Sequence, residues 1–297
     1  MTTIGAVIVT YNRLEKLKKA LAAYASQTVQ PKYILVVNNH SSDGTEEYLD
    51  QWTKEPSGCL RWAVHLEENT GGSGGFYAGL EKALNMPSDW IWLGDDDAYP
   101  EPDCFQKAAQ FLENTPFPKA AAVCGKVITN GHIDTWHRRS LTRKFGFLYE
   151  RQIPAGQYTQ PFEINFLSYV GSLLNREALQ AAGLPERDFF IAYDDSEHSI
   201  RLNQRGKIIC LPDIAVWHDT TEPIDGKRSW KRYYSMRNKL YSYKKHYGKT
   251  QAFLLSCYYL LKNIQDPVLW CLTAAAVTDA YRGRLGIHPK YCPGWKG

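Results

Sequence analysis

Three consecutive carboxylates, Asp95-Asp96-Asp97, close the apolar run Trp90-Ile91-Trp92-Leu93-Gly94. The run is of strand type, and burying it places the carboxylates at a strand's carboxyl end, where open α/β sheets gather their ligands. Adjacent like charges repel, and an ordinary surface loop gains nothing by fixing three of them. A hard divalent cation gains oxygen ligands there and can bridge carboxylate to phosphate. The competing account is a solvated acidic turn before a helix begun at Pro100-Glu101.

Other polar clusters follow at intervals. Thr10-Tyr11-Asn12-Arg13 ends the first apolar run, and Asn38-Asn39 through Asp43-Gly44-Thr45 ends the second. Both suit the crevice where a nucleotide would lie, and both also suit helix caps. Asn69-Thr70-Gly71-Gly72-Ser73-Gly74-Gly75-Phe76 holds four glycines in five residues. Such a stretch permits close backbone approach and leads into a helix whose free N–H groups favour an anion. Asp194-Asp195-Ser196-Glu197 opens a helix, either as dipole-stabilised caps or as a general base beside an orienting partner. His218 follows a short apolar run and could add an imidazole to the Asp97 site. Arg232-Tyr233-Tyr234-Ser235-Met236-Arg237-Asn238 combines cation, phenol and amide on one helix, as a basic face or a phosphate-binding one.

The elements that must position these residues alternate. Strands are expected over 5–10, 33–37, 60–66 and 90–93, with helices over 14–24, 45–52, 76–84 and through Phe105 and Leu112. This order predicts a mainly parallel, doubly wound sheet. A strand follows at 120–128, then a loop-rich aromatic stretch over 130–161 expected as hairpins or an acceptor-facing insertion. Ser168 to Leu174 leads to a helix at 176–182, and 194–205 is helical. Short strands are expected at 207–211 and 214–217, then two or three helices from Ser229 to Arg284.

Composition narrows the class. The chain has 297 residues, 44% apolar and 22% charged, as in an ordinary folded protein. Its seven cysteines are scattered without a Cys-x-x-Cys, which argues against a disulfide framework or zinc site and fits a reducing compartment. The start reads directly as a strand rather than a signal segment, and no run approaches the ~20 apolar residues of a membrane span. A cytoplasmic location is therefore expected. Ten Lys and Arg and no Asp or Glu lie between Gly226 and Gln265. Removing those ten from the chain's 35 basic residues leaves 25 against 31 acidic ones, so the C-terminal region alone implies an anionic partner. Two parts are expected, 1–225 as the catalytic α/β domain and 226–297 as a basic, aromatic helical region. Peripheral attachment of that region to an anionic membrane face is the first expectation, and a basic wall of the active site the second.

Taken in order, these motifs resemble the inverting family 2 glycosyltransferases of the GT-A fold. Thr10-Tyr11-Asn12-Arg13, Asp43-Gly44-Thr45 and Asp95-Asp96-Asp97 match that family's recurring signals. Asn69 to Phe76, Asp95 to Ala98, Asp194-Asp195-x-Glu197, Trp217-His218 and Tyr233-Tyr234-x-x-Arg237-Asn238 look more narrowly like bacterial galactofuranosyltransferases and related rhamnosyltransferases. One departure is Asn38, where many relatives carry an aspartate against uracil; an amide still hydrogen-bonds a base edge. The resemblance implies that Thr10, Asn12, Arg13 and Asn39 hold the base and ribose. It implies that Gly72, Ser73, Gly74 and Gly75 approach ribose or diphosphate, and that Asp95 or Asp96 contacts ribose or donor sugar. Asp97 and His218 would bind Mn²⁺ or Mg²⁺, Asp195 would be the general base, and Arg237 would lie near the diphosphate.

The function so implied is metal-dependent transfer of galactofuranose from UDP-galactofuranose to a lipid-linked or growing cell-envelope glycan at the inner membrane face. The alternative donor is dTDP-rhamnose. A nucleotidyltransferase would carry a basic, glycine-rich triphosphate loop near its start, and 10–13 supplies none. A nucleic-acid-binding role is disfavoured by the acidic remainder of the chain.

Overall fold

The computed structural model describes residues 2–114, 119–220 and 228–297. The 225/226 boundary and Lys227 lie outside the described residues. Strand β1 (Ile4–Thr10) is buried along its whole length, as a β-branched run covered on both faces must be. Ile4, Ala6 and Ile8 point to one face of the sheet, and Val7 and Val9 to the other. Helix α1 (Leu14–Ala25) returns the chain to β2 (Tyr33–Asn38), and α2 (Thr45–Trp52) to β3 (Leu60–His65). Then come α3 (Gly71–Ala83), β4 (Trp90–Asp95), β5 (Ala98–Pro100) and α4 (Cys104–Asn114). Strands β1, β2, β3 and β4 are parallel, with β4 beside β1.

The second half completes the sheet. Strand β6 (Ala120–Thr129) pairs with short β7 (His132–Ile133). The hairpin of β8 (Arg138–Lys144) and β9 (Phe147–Gln152) leads to β10 (Phe162–Ile164), β11 (Phe166–Leu167) and β12 (Ser172–Asn175). Helices α5 (Arg176–Ala182) and α6 (Asp194–Asn203) precede β13 (Lys207–His218). The main sheet runs β10-β13-β6-β12-β4-β1-β2-β3, with β5 on β13 and β7 on β6; β11-β8-β9 form a separate three-stranded sheet. Helices α1, α2 and α4 cover one face, and α3, α5 and α6 the other. Helices α7 (Trp230–His246), α8 (Lys249–Lys262) and α9 (Pro267–Arg282) follow.

Three expectations change and one holds. The two strands expected at 207–217 are one, β13, with an irregular register between Leu211 and Ala215. The aromatic stretch 130–161 does contain hairpins. The acidic triplet does not run directly into a helix; it turns from β4 into β5, which pairs with β13. The third helix starts at Gly71, not Phe76, so its glycines lie inside the helix. They let it lie against the sheet: a Cβ on Gly75 would stand 2.6 Å from Val9 Cγ1, and one on Gly79 2.5 Å from Val7 Cγ1. A Cβ on Gly72 would meet nothing within 4 Å.

These glycines are separable by stability. Gly79→Ala should lose about 1–3 kcal/mol in chemical denaturation, because stiff β-branched neighbours must move. Gly72→Ala should match or exceed the parent by up to about 1 kcal/mol, the helix-propensity difference.

Candidate active site

The carboxyl ends of β1, β2 and β4 open onto a cleft of about 690 Å³. Thr10, Arg13, Asn39, Gly72, Asp95, Asp96, Asp97 and His218, all singled out in the sequence, line it. His218 arrives through strand pairing: it stands opposite Ala98, and the following Asp219 N–H donates to the Asp97 carbonyl at 2.8 Å. Its Nε2 is 3.4 Å from Asp97 Oδ1. One ligand atom each from Asp95, Asp97 and His218 falls within 4.8 Å of the others.

Burial of three acids is electrostatically expensive, and the surroundings show how it is met. Burial and the Asp97 charge push the Asp95 carboxyl up to about 7. Burial and Asp97 likewise raise Asp96 to about 6. For Asp97 burial acts upward too, but His218 and Arg13 overcome it and hold the carboxyl below its ordinary value. Arg13 Nη1 lies 2.7 Å from Asp97 Oδ2 and 3.5 Å from Asp96 Oδ1, and Lys16 Nζ is 3.8 Å from Asp97. The Thr10 hydroxyl donates to Asp96 Oδ2 at 2.8 Å, and the Tyr11 N–H at 3.3 Å. Thr10 and Arg13 thus steady the acidic triplet.

A divalent cation fits this donor set. Two carboxylates and an imidazole converge, oxygen and nitrogen donors suit Mn²⁺ or Mg²⁺, and His218 Nδ1 is buried without a hydrogen-bond partner. The His137 ring meets His218 edge-on with centroids 5.2 Å apart. His137 is kept neutral by burial, its pKa down at about 4 despite Asp134.

The remaining predicted residues divide. Asn39 is buried and joins β2 to α3: Oδ1 accepts from the Thr70 N–H and hydroxyl at 3.0 Å, while Nδ2 donates to the Gly71 carbonyl at 2.9 Å. Asn12 Oδ1 accepts from the Ser42 N–H at 2.7 Å, linking two loops away from the cleft lining. Asn38 is engaged by the Ser41 N–H and His65. Asp43 accepts from the Leu14 N–H at 2.9 Å and from Thr45, so one carboxylate ties α1 and α2. Among the glycines, Gly71 and Gly72 line the cleft. A Cβ on Gly74 would strike Thr70, and Gly75 faces Val9. Ser73 is buried, its hydroxyl near Asp194 but lacking a partner in hydrogen-bond geometry. Its N–H donates to the Phe190 carbonyl at 3.2 Å, so it is not free for an anion.

Asp194 and Asp195 open α6 beyond the cleft lining, and Asp194 is close enough to Asp95 to feel its charge. Burial, then Asp195, raise Asp194 to about 8. Burial also raises Asp195, against the pull of Arg139. Asp195 Oδ1 accepts from the Ser196 hydroxyl at 2.9 Å, and Arg139 Nη2 donates to that hydroxyl at 2.5 Å. Arg139 pairs with buried Glu150, which also accepts from the Tyr193 and Tyr243 hydroxyls and lies 3.1 Å from Lys239 Nζ. The sequence reading missed this cluster; Arg139 and Glu150 become neighbours only through hairpin register, two residues off directly opposite positions. Lys16, Trp230 and Lys231 were also missed as residues at the cleft.

Arg237 is not brought to the cleft. It is buried, donates to the Gly286 carbonyl at 2.7 Å and the Phe189 carbonyl at 3.1 Å, and lies against the rings of Tyr233 and Tyr234. Neighbouring Asn238 Nδ2 reaches the carbonyls of Phe189, Ile191 and Ala192 at 2.8–3.1 Å. Phe190, Ala192 and Tyr193 have φ of 65°, 67° and 71°, left-handed backbone that costs side-chain-bearing residues energy. Arg237 and Asn238 hold that strained loop immediately before Asp194. Asn238→Ala should therefore lose about 1–3 kcal/mol of stability. Chemical denaturation reads that loss.

Known proteins share the sequence pattern and the fold. The family described as glycosyl transferase family 2 matches residues 6–183. Galactofuranosyltransferase GlfT1 of Mycobacterium tuberculosis is 28% identical over 258 residues, 80% of this chain and 81% of its own. The dTDP-rhamnosyl transferase RfbF of Shigella flexneri is 24% identical over 246 residues, 80% of this chain and 78% of its own. A crystal structure of GalNAc-T7 with UDP, GalNAc and Mn²⁺ superposes with a TM-score of 0.67 at 14% identity, covering 96% of this chain and 56% of that one; the likeness concerns the fold, which is GT-A. The chain belongs to glycosyltransferase family 2.

Proposed function

We propose that this glycosyltransferase moves galactofuranose, with inversion, from UDP-galactofuranose to a hydroxyl of a lipid-linked or growing cell-envelope glycan at the cytoplasmic membrane face. The observation that carries the reading is one cleft lined by the Asp95, Asp97 and His218 group and by Gly72, with the Asp195 end of α6 beyond it. Similarity to a galactofuranosyltransferase over four-fifths of both chains supports the sugar. The rhamnosyltransferase match keeps dTDP-rhamnose as the second donor.

In this reading Thr10, Asn39 and Gly72 border the nucleoside and diphosphate, and Asp95 or Asp96 faces the ribose or donor sugar. Asn12 and Gly75 act at one remove, by fixing the loops and helix that form the wall. Asp97 and His218, with Asp95 in reach, would hold Mn²⁺ or Mg²⁺, which when bound supplies Lewis-acid stabilisation to the departing diphosphate. Asp195 takes the proton of the acceptor hydroxyl while its oxygen attacks the anomeric carbon, and UDP leaves from the opposite face. One displacement inverts the centre without a sugar–enzyme bond. Arg139 and Glu150 orient Asp195 through Ser196.

Transfer from UDP-galactofuranose should exceed that from dTDP-rhamnose in a direct donor comparison, and chelation should abolish it. Asp97→Ala should remove most activity; full turnover in excess EDTA would exclude the metal assignment. Asp195→Asn should leave donor binding intact and reduce kcat by roughly 10²–10⁴, the range for a lost general base. The same loss in Asp194→Asn, with Asp195→Asn near normal, would move the base to its neighbour.

A pH profile tests Glu150 separately. A base works only when deprotonated, so activity falls as pH drops through its pKa. Glu150 is buried yet kept ionised by Lys239 and Arg139, and its charge raises Asp195. Glu150→Gln removes that charge and frees Arg139 toward Asp195, so the acid limb of kcat/KM should move to lower pH, by on the order of one unit. An unmoved limb would separate Glu150 from the base.

A further inference from the structure

We infer that the protein docks on anionic lipid bilayers through one surface, formed by the outer side of α8 and the tip of the β8–β9 hairpin. The inference deepens the lipid-linked-acceptor reading above and rests on it for its purpose, though not for its geometry. Phe253, Tyr258, Leu261 and Ile264 are all exposed, Leu261 at 67% and Ile264 at 61%. Their spacing puts them on one side of α8 and just past its end, while Ala252 and Ser256 mark the buried side. At the hairpin tip Phe145 is 86% exposed. The two parts are joined: Gln251 Nε2 donates to the Gly146 carbonyl at 2.7 Å, and Leu148 packs among Tyr243, Tyr247, Ala252 and Leu255.

Charge decides what covers this face. Six of the ten cations of the basic segment are used internally: Lys239 meets Glu150, Lys245 meets Glu186 and Glu197, Arg228 meets Asp266, Arg232 meets Asn263, and Arg237 and Lys244 donate to backbone carbonyls. Lys249 and Lys262 stand at the two ends of α8, and Lys144 at the hairpin tip. Lys144 and Lys262 lie over the rings of Phe145 and Tyr258, at 5.4 and 5.5 Å. An apolar body with lysine heads at its edge is the arrangement that lies in a headgroup boundary. No Asp or Glu occurs over 135–149 or between 226 and 265. A two-fold dimer on this face would set the same lysines against one another, whereas an anionic bilayer complements them. Among the described residues no helix is long and apolar enough to cross a membrane, so the contact is one of lying on the surface.

The hairpin also sets height. Four residues lie between Phe145 and Glu150, so the tip stands on the order of 15 Å of extended chain from Glu150. Glu150 and Arg139 meet the Asp195 end of α6, so a docked hairpin holds the candidate base just above the lipid surface.

The test is sedimentation of the full chain with vesicles of phosphatidylglycerol and phosphatidylcholine, against phosphatidylcholine alone. The parent should bind the anionic vesicles and lose binding in high salt. The doubly substituted F145S/L261S protein should bind about tenfold or more weakly, while keeping its thermal midpoint and UDP binding. Hydrogen exchange should slow at 143–147 and 253–264 only with anionic vesicles. Any one of three results would overturn the inference: no parental binding at low salt, equal binding by F145S/L261S, or a change confined to a monomer–dimer equilibrium. Vesicle binding is read without donor or acceptor, so a failed donor assignment leaves it untouched.

Discussion

The Asp95-Asp96-Asp97 triplet is buried where a strand ends, and the repulsion among its charges makes demands on the whole α/β unit. Relief comes from two stretches of chain, residues 10–16 and the end of β13. Thr10 arrives on β1, Arg13 between β1 and α1, Lys16 on α1, and His218 at the end of β13. Each is delivered by sheet order or by the turn after a strand, so the β4–β1 and β13–β5 pairings are conditions for the site to exist. Asp97 stays ionised while its two neighbours are raised, a division of roles made by where the cations and imidazole lie.

A second constraint is the left-handed backbone at Phe190, Ala192 and Tyr193. It turns the chain so that Asp194 and Asp195 start α6 facing the end of β4, and it leaves several carbonyls in need of donors. Helix α7 supplies them through Arg237 and Asn238, and also supplies Lys239 to Glu150. The C-terminal helices are therefore joined to the site. They brace the loop before the candidate base and the hairpin that orients it.

Glycine serves this protein chiefly through packing. Just past the second strand, the Asn39 side chain fastens the start of α3, while Gly75 and Gly79 bring that helix down onto Val9, Val7 and Val37. Close approach of helix to sheet is what sets the cleft wall at Gly72.

Much of this was written locally. Apolar runs of strand length, helical periodicity between them and polar residues at strand ends announce a doubly wound sheet with ligands at one edge, because period and burial are short-range properties. Asp95 to Asp97, Asp195 and His218 stood out as candidates because carboxylates and an imidazole at the ends of elements are visible without any partner. What adjacency could not reveal depends on partners far along the chain. The ten cations after Gly226 looked like one electrostatic surface, yet Lys239 and Lys245 are spent on Glu150 and Glu197, 89 and 48 residues away. Arg237 looked like a phosphate ligand, but packing of α7 beneath the 189–192 loop gave it carbonyls instead. The glycine stretch looked like a loop, yet it opens a helix in which Gly75 lies against Val9 of β1, Gly74 against Thr70 and Gly71 against Phe190. Composition and periodicity determine which groups are available, and tertiary packing decides which of them are consumed holding the fold and which are left facing the cleft.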